Sequence, residues 1–183
     1  RLRSTDDVAN ECRFVLENFP GLKEIFFDDD TFNYKKARTL ELCAKLKKLN
    51  FTWSCTSRVT TDYETLQAMK DAGCRLLIVG YESGDEQILR NIKKGATIEG
   101  ARCFTKDAHN LGLVVHGDFI VGLPGDIDTA LATRWTMAFM LFLDPRAAGF
   151  HAQGQQLYGH AQARHGVHQR LFQFVAHRGG MLQ

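Results

Sequence analysis

The sequence predicts an α/β fold built on a parallel sheet, and three observations carry that prediction. Short apolar runs begin near residues 24, 51, 75 and 113, stretches of helical period separate each run from the next, and glycines or capping residues punctuate the joints. Strand and helix alternating four times is the rhythm of βα units in an open sheet or barrel. In such sheets ligands meet the carboxyl ends of the strands.

The elements follow in order. Ser4 opens a helix with Asp6 and Asp7 in its first turn, and Pro20-Gly21 closes it before a strand from Glu24 to Asp28. A second helix is expected over 33–49, where Ala37, Leu40 and Ala44, then Leu42, Leu46 and Leu49, recur at helical steps. The lysines at 35, 36, 45, 47 and 48 fall mostly elsewhere and read as a solvated face. FTWSCTSRV, 51–59, is the next strand, and Thr61 with Glu64 forms a capping-box pattern for a helix ending at Gly73. A buried strand runs from Cys74 or Arg75 to about Tyr81, and helical steps at Ile88, Leu89 and Ile92 stop at Gly95. A further helix from Thr97 carries Ile98, Ala101, Phe104, Ala108 and Leu111 before Gly112, and LVVHGDFIVGLPG, 113–125, supplies the fourth strand and a Gly-Pro-Gly turn.

With 183 residues and 44% hydrophobic content, the chain is long enough for one domain with a sizeable core. A net charge of +2 gives no support for a nucleic-acid surface or a membrane-binding face. No apolar run approaches the ~20 residues that span a bilayer, and RLRSTDDVANEC lacks the apolar centre of a signal peptide, so a cytoplasmic location is expected. The cysteines at 12, 43, 55, 74 and 103 include no CxxC pair, which argues against a disulfide framework and a zinc knuckle. Most of them read as small buried hydrophobes.

Unusual polar residues gather at the strand ends. The first strand ends in Asp28-Asp29-Asp30-Thr31, the second in Thr56-Ser57-Arg58 and the third in Tyr81-Glu82-Ser83, while His116, Asp118 and Ile120 alternate onto one face of the fourth. A pocket so lined offers carboxylates for an ammonium group or ribose hydroxyls, a guanidinium for a carboxylate, and an apolar floor for a flat ring. It suits a zwitterionic nucleoside. Each part also has a plainer reading: the aspartates as a solvated loop or Mg²⁺ site, His116 with Asp118 as metal ligands or a structural pair, Arg58 as a structural ion pair, GLPG as a turn.

RLRSTDDV, IFFDDDTF, SCTSRV, GCRLLIVGYESGDEQILRNIKKGAT and GDFIVGLPG, in that order across about residues 1–125, resemble radical S-adenosylmethionine (SAM) enzymes of the group with an upstream cobalamin-binding domain. Within that group they are most similar to the hopanoid-biosynthesis-associated radical SAM proteins. The resemblance implies a partial (β/α) radical SAM barrel incomplete at both ends, with a partial core over 1–126 and an atypical segment over 127–183.

It also implies site roles. Asp29, Asp30 and Thr31 occupy the place of the segment that meets the methionine amino group, and Thr56 and Arg58 lie near the methionyl part. Glu82 falls where relatives bond the ribose and Lys94 where several carry a basic partner for the SAM carboxylate, while Asp118 and Ile120 match the polar contact and apolar wall of the nucleoside. Asp28 is expected to play a separate structural part, turned away from Asp29 by alternation.

The implied activity is reductive cleavage of SAM at a [4Fe-4S] cluster, releasing a 5′-deoxyadenosyl radical that starts chemistry on a small-molecule or lipid substrate, hopanoid if the finer likeness holds. The implied electron donor is a flavodoxin or ferredoxin, and the full-length protein can also carry cobalamin. Such a cluster needs three thiolates in a CxxxCxxC motif, which this sequence lacks. Relatives carry that motif shortly before the segment beginning here at Arg1, so a fragment truncated at its amino terminus is expected, with ligands outside this chain and no activity of its own. The segment 127–183 has no lysine or glutamate but five arginines, five histidines and seven glutamines, and from about residue 145 it reads like a shifted reading frame. TRWTMAF is expected to be an authentic helix. Two other functions fit the residues: a βα module that binds SAM or another nucleoside without radical chemistry, and a Mg²⁺-dependent barrel enzyme using Asp28, Asp30, His116 and Asp118.

Overall fold

Capping and alternation produce most of the expected elements. The computed structural model describes residues 3–121, Leu123 and the backbone of 170–176. The Ser4 hydroxyl accepts from the Asp7 amide at 3.1 Å and starts α1 (Thr5–Asn18). Then come β1 (Ile25–Phe27), α2 (Lys36–Leu46) with a 3-10 turn at Lys47–Leu49, β2 (Trp53–Ser57), α3 (Tyr63–Asp71) and β3 (Cys74–Glu82). Helices α4 (Glu86–Asn91) and α5 (Ile98–Asn110) precede β4 (Val114–Val121).

Strands β1 to β4 lie side by side in chain order and parallel, with Phe27 opposite Cys55, Ser57 opposite Val79, and Gly80 opposite Asp118. All four carboxyl ends therefore share one rim. Among the described residues β1 pairs only with β2, and Phe26 on it is 44% exposed, as expected of an uncovered parallel edge. A fifth strand, β5 (Arg170–Ala176), pairs antiparallel with β4, His116 facing Val175. The sequence offers no strand there: the apolar run LFQFV is too short to stand out from a tract without period. The TRWTMAF helix, the rest of 127–183 and the GLPG turn apart from Leu123 lie outside the described residues.

The sheet has two unlike faces. Cys55, Leu77, Val79, Tyr81, Val115 and Phe119 point into a core completed by Leu42 and Leu46 of α2, Leu66 and Met69 of α3, and Phe104 and Ala108 of α5. Burying each large apolar side chain contributes about 1.5–3 kcal/mol. Trp53 is fully buried; its indole N–H donates to the Ala72 carbonyl at 2.8 Å, and its ring meets Phe27 and Phe32 at 5.4 and 4.9 Å. On the opposite face Thr56, Leu76, Ile78, Gly80, Glu82, Val114, His116, Asp118 and Ile120 are only half-buried.

Two expectations are corrected. The cap of α3 is Asp62, whose carboxylate accepts from the Thr65 amide at 3.0 Å, while Glu64 pairs with Lys36 at 2.6 Å. A carboxylate at Asp62 meets the helix start directly, so Thr61 is free for a different task described below. Lys45 is not a solvated lysine: it reaches Asp6 at 2.7 Å, Glu41 at 2.9 Å and the Thr5 hydroxyl at 2.8 Å, joining α2 to α1. Gly73 behaves as expected, with φ +98 and the Phe51 carbonyl oxygen 2.2 Å from where a Cβ would stand.

Candidate functional site

The parallel register brings the predicted polar residues to one rim in two groups. The first lies at the ends of β1 and β2. The Thr56 hydroxyl donates to the Asp29 carbonyl, and the Phe32 amide donates to the Thr56 carbonyl at 3.3 Å. Asn33 joins the two loops: its amide donates to the hydroxyls of Ser57 and Thr61 at 2.9 and 2.6 Å, and its oxygen accepts from the Arg58 amide at 3.2 Å. The Arg58 guanidinium stands 5.2 Å from the Tyr34 ring centroid, a cation–π distance. A cleft of about 190 Å³ lies among Asn33, Tyr34, Lys36, Arg58, Asp62 and Thr65. Asp28, Asp29 and Asp30 are exposed, and the Thr31 hydroxyl donates to the Asp30 carbonyl at 2.6 Å.

The second group lies at the ends of β3 and β4 and is drier. The register of β3 against β4 shifts between Gly80 and Glu82, and Glu82 takes a left-handed backbone, φ 66. A shift of this kind re-aims a side chain. The Glu82 carboxylate folds back over Gly80 and meets Lys94 Nζ at 2.6 Å. Lys94 is brought there by a left-handed Lys93, φ 55, just past α4. A Cβ on Gly80 would stand 2.5 Å from Glu82 Oε1 and 3.1 Å from Lys94 Nζ, so the absent side chain makes the room for this pair.

Asp118 lies opposite Gly80 in this group. Burial, then the Glu82 charge, pushes its carboxyl up from 3.8 to about 6, with Lys94 opposing. His116, one pleat deeper, is held below its ordinary value by burial. Its Nε2 lies 3.7 Å from Asp118 Oδ1, and both atoms are buried without a hydrogen-bond partner among the described residues. Ile120 follows on the same face.

Glu82, Lys94 and Asp118 thus come together, and Thr56 and Arg58 sit beside the Asp29–Thr31 loop. Sequence reasoning missed Asn33 and Tyr34, which organise the first group. An Asn three residues past an acidic turn carries little signal by itself; its bonds are all to residues more than twenty positions away. Among the described residues no three His, Cys, Asp or Glu side chains form a metal-ligating group.

The fit of two cofactor classes differs. The orphaned Asp118 oxygen, the Gly80 cradle and nearby charges of both signs suit a zwitterionic nucleoside such as SAM. A [4Fe-4S] cluster does not fit the cysteines. Cys12, Cys43, Cys55 and Cys74 are buried in the core and Cys103 is exposed on α5. Burial pushes Cys43 up to about 12 and Cys55 well above its ordinary value, the reverse of what cluster thiolates require.

A model of the Radical SAM superfamily matches residues 1–133. An uncharacterised methyltransferase of Pyrococcus horikoshii is 38% identical over 153 residues, covering 82% of this chain and 33% of the relative. The cytidylyl-2-hydroxyethylphosphonate methyltransferase of Streptomyces wedmorensis is 30% identical over 128 residues, 68% of this chain and 24% of the relative. The chain therefore spans a third or less of these relatives. The fold is that of the radical SAM methyltransferase TsrM from Kitasatospora setae. Its structure with tryptophan and a SAM analogue gives a TM-score of 0.68 at 19% identity, covering 78% of this chain and 29% of that one. Its structure with cobalamin and a [4Fe-4S] cluster gives 0.63 at 18% identity, covering 75% and 29%. No helix among the described residues is long and apolar enough to cross a membrane. With the strand-end geometry in place and the family model matching most of its length, the chain belongs to the radical SAM superfamily.

Proposed function

We propose that this chain forms the SAM-binding part of a radical SAM enzyme that transfers a methyl group to a biosynthetic small molecule. The observation that carries the reading is the group of Glu82, Lys94 and the orphaned Asp118 around Gly80, at the carboxyl rim of a sheet belonging to this superfamily. The methylation part rests on the names of the two sequence relatives and of TsrM. A hopanoid substrate has only the sequence resemblance behind it.

When bound, SAM supplies an electrophilic sulfonium whose reductive cleavage yields a carbon radical. The chain's residues position it. Asp29, Asp30 and Thr31 face its ammonium end, Thr56 and Arg58 its methionyl part, and Ile120 walls the base. Lys94 leaves Glu82 for the ligand carboxylate, and Glu82 turns to the ribose. Asp118 meets the nucleoside. Cluster thiolates, a cobalamin domain and an electron donor of the flavodoxin or ferredoxin type come from outside these residues, and the chain alone does not turn over.

Calorimetry with the full chain tests this. S-adenosylhomocysteine should bind, and Lys94→Ala and Arg58→Ala should each weaken it roughly tenfold, about 1.4 kcal/mol. A response to Mg²⁺ with none to S-adenosylhomocysteine would overturn the reading in favour of a metal enzyme. Iron and labile sulfide in the full-length protein separate radical chemistry from simple nucleoside binding, which needs neither.

A further inference from the structure

The half-buried face of β4 carries a pair of polar atoms that no role so far uses together. His116 Nε2 and Asp118 Oδ1 lie 3.7 Å apart, too far for a direct hydrogen bond, and neither has a hydrogen-bond partner among the described residues. An orphaned buried polar atom costs about 1–3 kcal/mol, so two of them side by side ask for a shared occupant.

The backbone beneath them is held in place. Gly117, between the two, faces the core, where a Cβ would stand 2.9 Å from the Tyr81 ring. Tyr81 stacks on Phe119 at 5.5 Å and 9°, and its hydroxyl lies 2.5 Å from that of Thr105. The pair cannot close its gap by a simple shift of the strand. On β3, Ile78 stands opposite His116 and Gly80 opposite Asp118, with the Glu82–Lys94 pair lying over Gly80; on β5 the register partners are Val175 and Gln173.

A single oxygen about 2.8 Å from both atoms completes the geometry, provided it can donate to a carboxylate and accept from an imidazole N–H. A hydroxyl does both. With the proton on Nε2, an ammonium group cannot accept from it, and a carboxylate would meet Asp118 with like charge.

We propose that His116 is a ligand-contacting residue that, with Asp118, reads one ribose hydroxyl of the bound nucleoside: the hydroxyl donates to Asp118 Oδ1 and accepts from His116 Nε2–H. This rests on the nucleoside reading of the site given above and adds to it a residue and a selectivity. The pair rejects a nucleoside that lacks the hydroxyl, because both atoms are then left unpaired.

The test compares adenosine, 2′-deoxyadenosine and 3′-deoxyadenosine, with S-adenosylhomocysteine as reference, by calorimetry on the full chain and its variants. Wild type should bind adenosine at least about tenfold more tightly than one of the two deoxynucleosides. His116→Phe, which keeps a ring of similar size, should reduce that preference to about twofold or less, and His116→Gln should keep part of it. Circular dichroism melting confirms that each variant is folded. Were His116→Phe folded and its preference unchanged, or were wild type to bind all three nucleosides equally, an ordered water would be the occupant and this inference would fall while the SAM reading stood. Binding of neither S-adenosylhomocysteine nor adenosine removes both.

Discussion

The two faces of the sheet are made by the same strands and differ in almost everything else. Towards the helices, residues 77, 79, 81, 115, 117 and 119 are buried, apolar or small, and the polar atom of Tyr81 has a partner. On the other face, residues 78, 80, 82, 116, 118 and 120 are half-buried and hold an ion pair, a left-handed glutamate and two orphaned polar atoms. One pleat separates the two sets. The lesson is that stability and chemistry alternate along each strand, so a substitution's effect depends on its parity.

The sharpest break of that contrast is Trp53→Ala. It empties a fully buried site and leaves the Ala72 carbonyl without its donor, so unfolding in urea should show a loss of about 3–5 kcal/mol. Gly117→Ala follows: its new methyl meets the packed Tyr81 ring, and about 1–3 kcal/mol should be lost in the same measurement.

On the other face Asp118→Asn should act in the opposite direction. Between 3.8 and about 6 the folded protein holds a proton that the unfolded chain has released. Stability therefore falls as pH rises through that window, and the loss is complete above it. Removing the charge should stabilise the chain above pH 6 by on the order of 1–2 kcal/mol, flatten the melting profile between pH 4 and 6, and weaken nucleoside binding. The smallest effect on stability is expected from Gly80→Ala. Its methyl meets only the far ends of Glu82 and Lys94, which can move, so unfolding should change by less than about 0.5 kcal/mol. S-adenosylhomocysteine affinity should nevertheless fall severalfold. Equal stability costs at Gly117 and Gly80 would erase the distinction between the faces.

Legibility followed range of interaction. Strand-helix alternation, the caps at Ser4 and Thr97 and the left-handed Gly73 are local devices, and the sequence shows them. The Asp62 cap was displaced by one residue because Thr61 and Asp62 are both competent acceptors, and Thr61 was drawn instead to Asn33. That Asn33 would organise the rim depends on register between β1 and β2, which one strand cannot display. The Glu82–Lys94 bond escaped for a related reason: the two were assigned to different parts of a ligand, whereas a register shift and two positive φ angles turn them towards each other. Strand β5 pairs across nearly fifty intervening residues, a distance at which short apolar runs give no guide to partners.

Asn33 has one more consequence. By gripping Ser57, Thr61 and the Arg58 amide, it welds the acidic turn after β1 to the basic turn after β2. Asp30 and Arg58, opposite in charge and drawn from separate βα units, then ride on one rigid jaw. If SAM binds as proposed, a pull on either charge would be felt by both, and the jaw would respond to the span between the ligand's two charges instead of answering each alone.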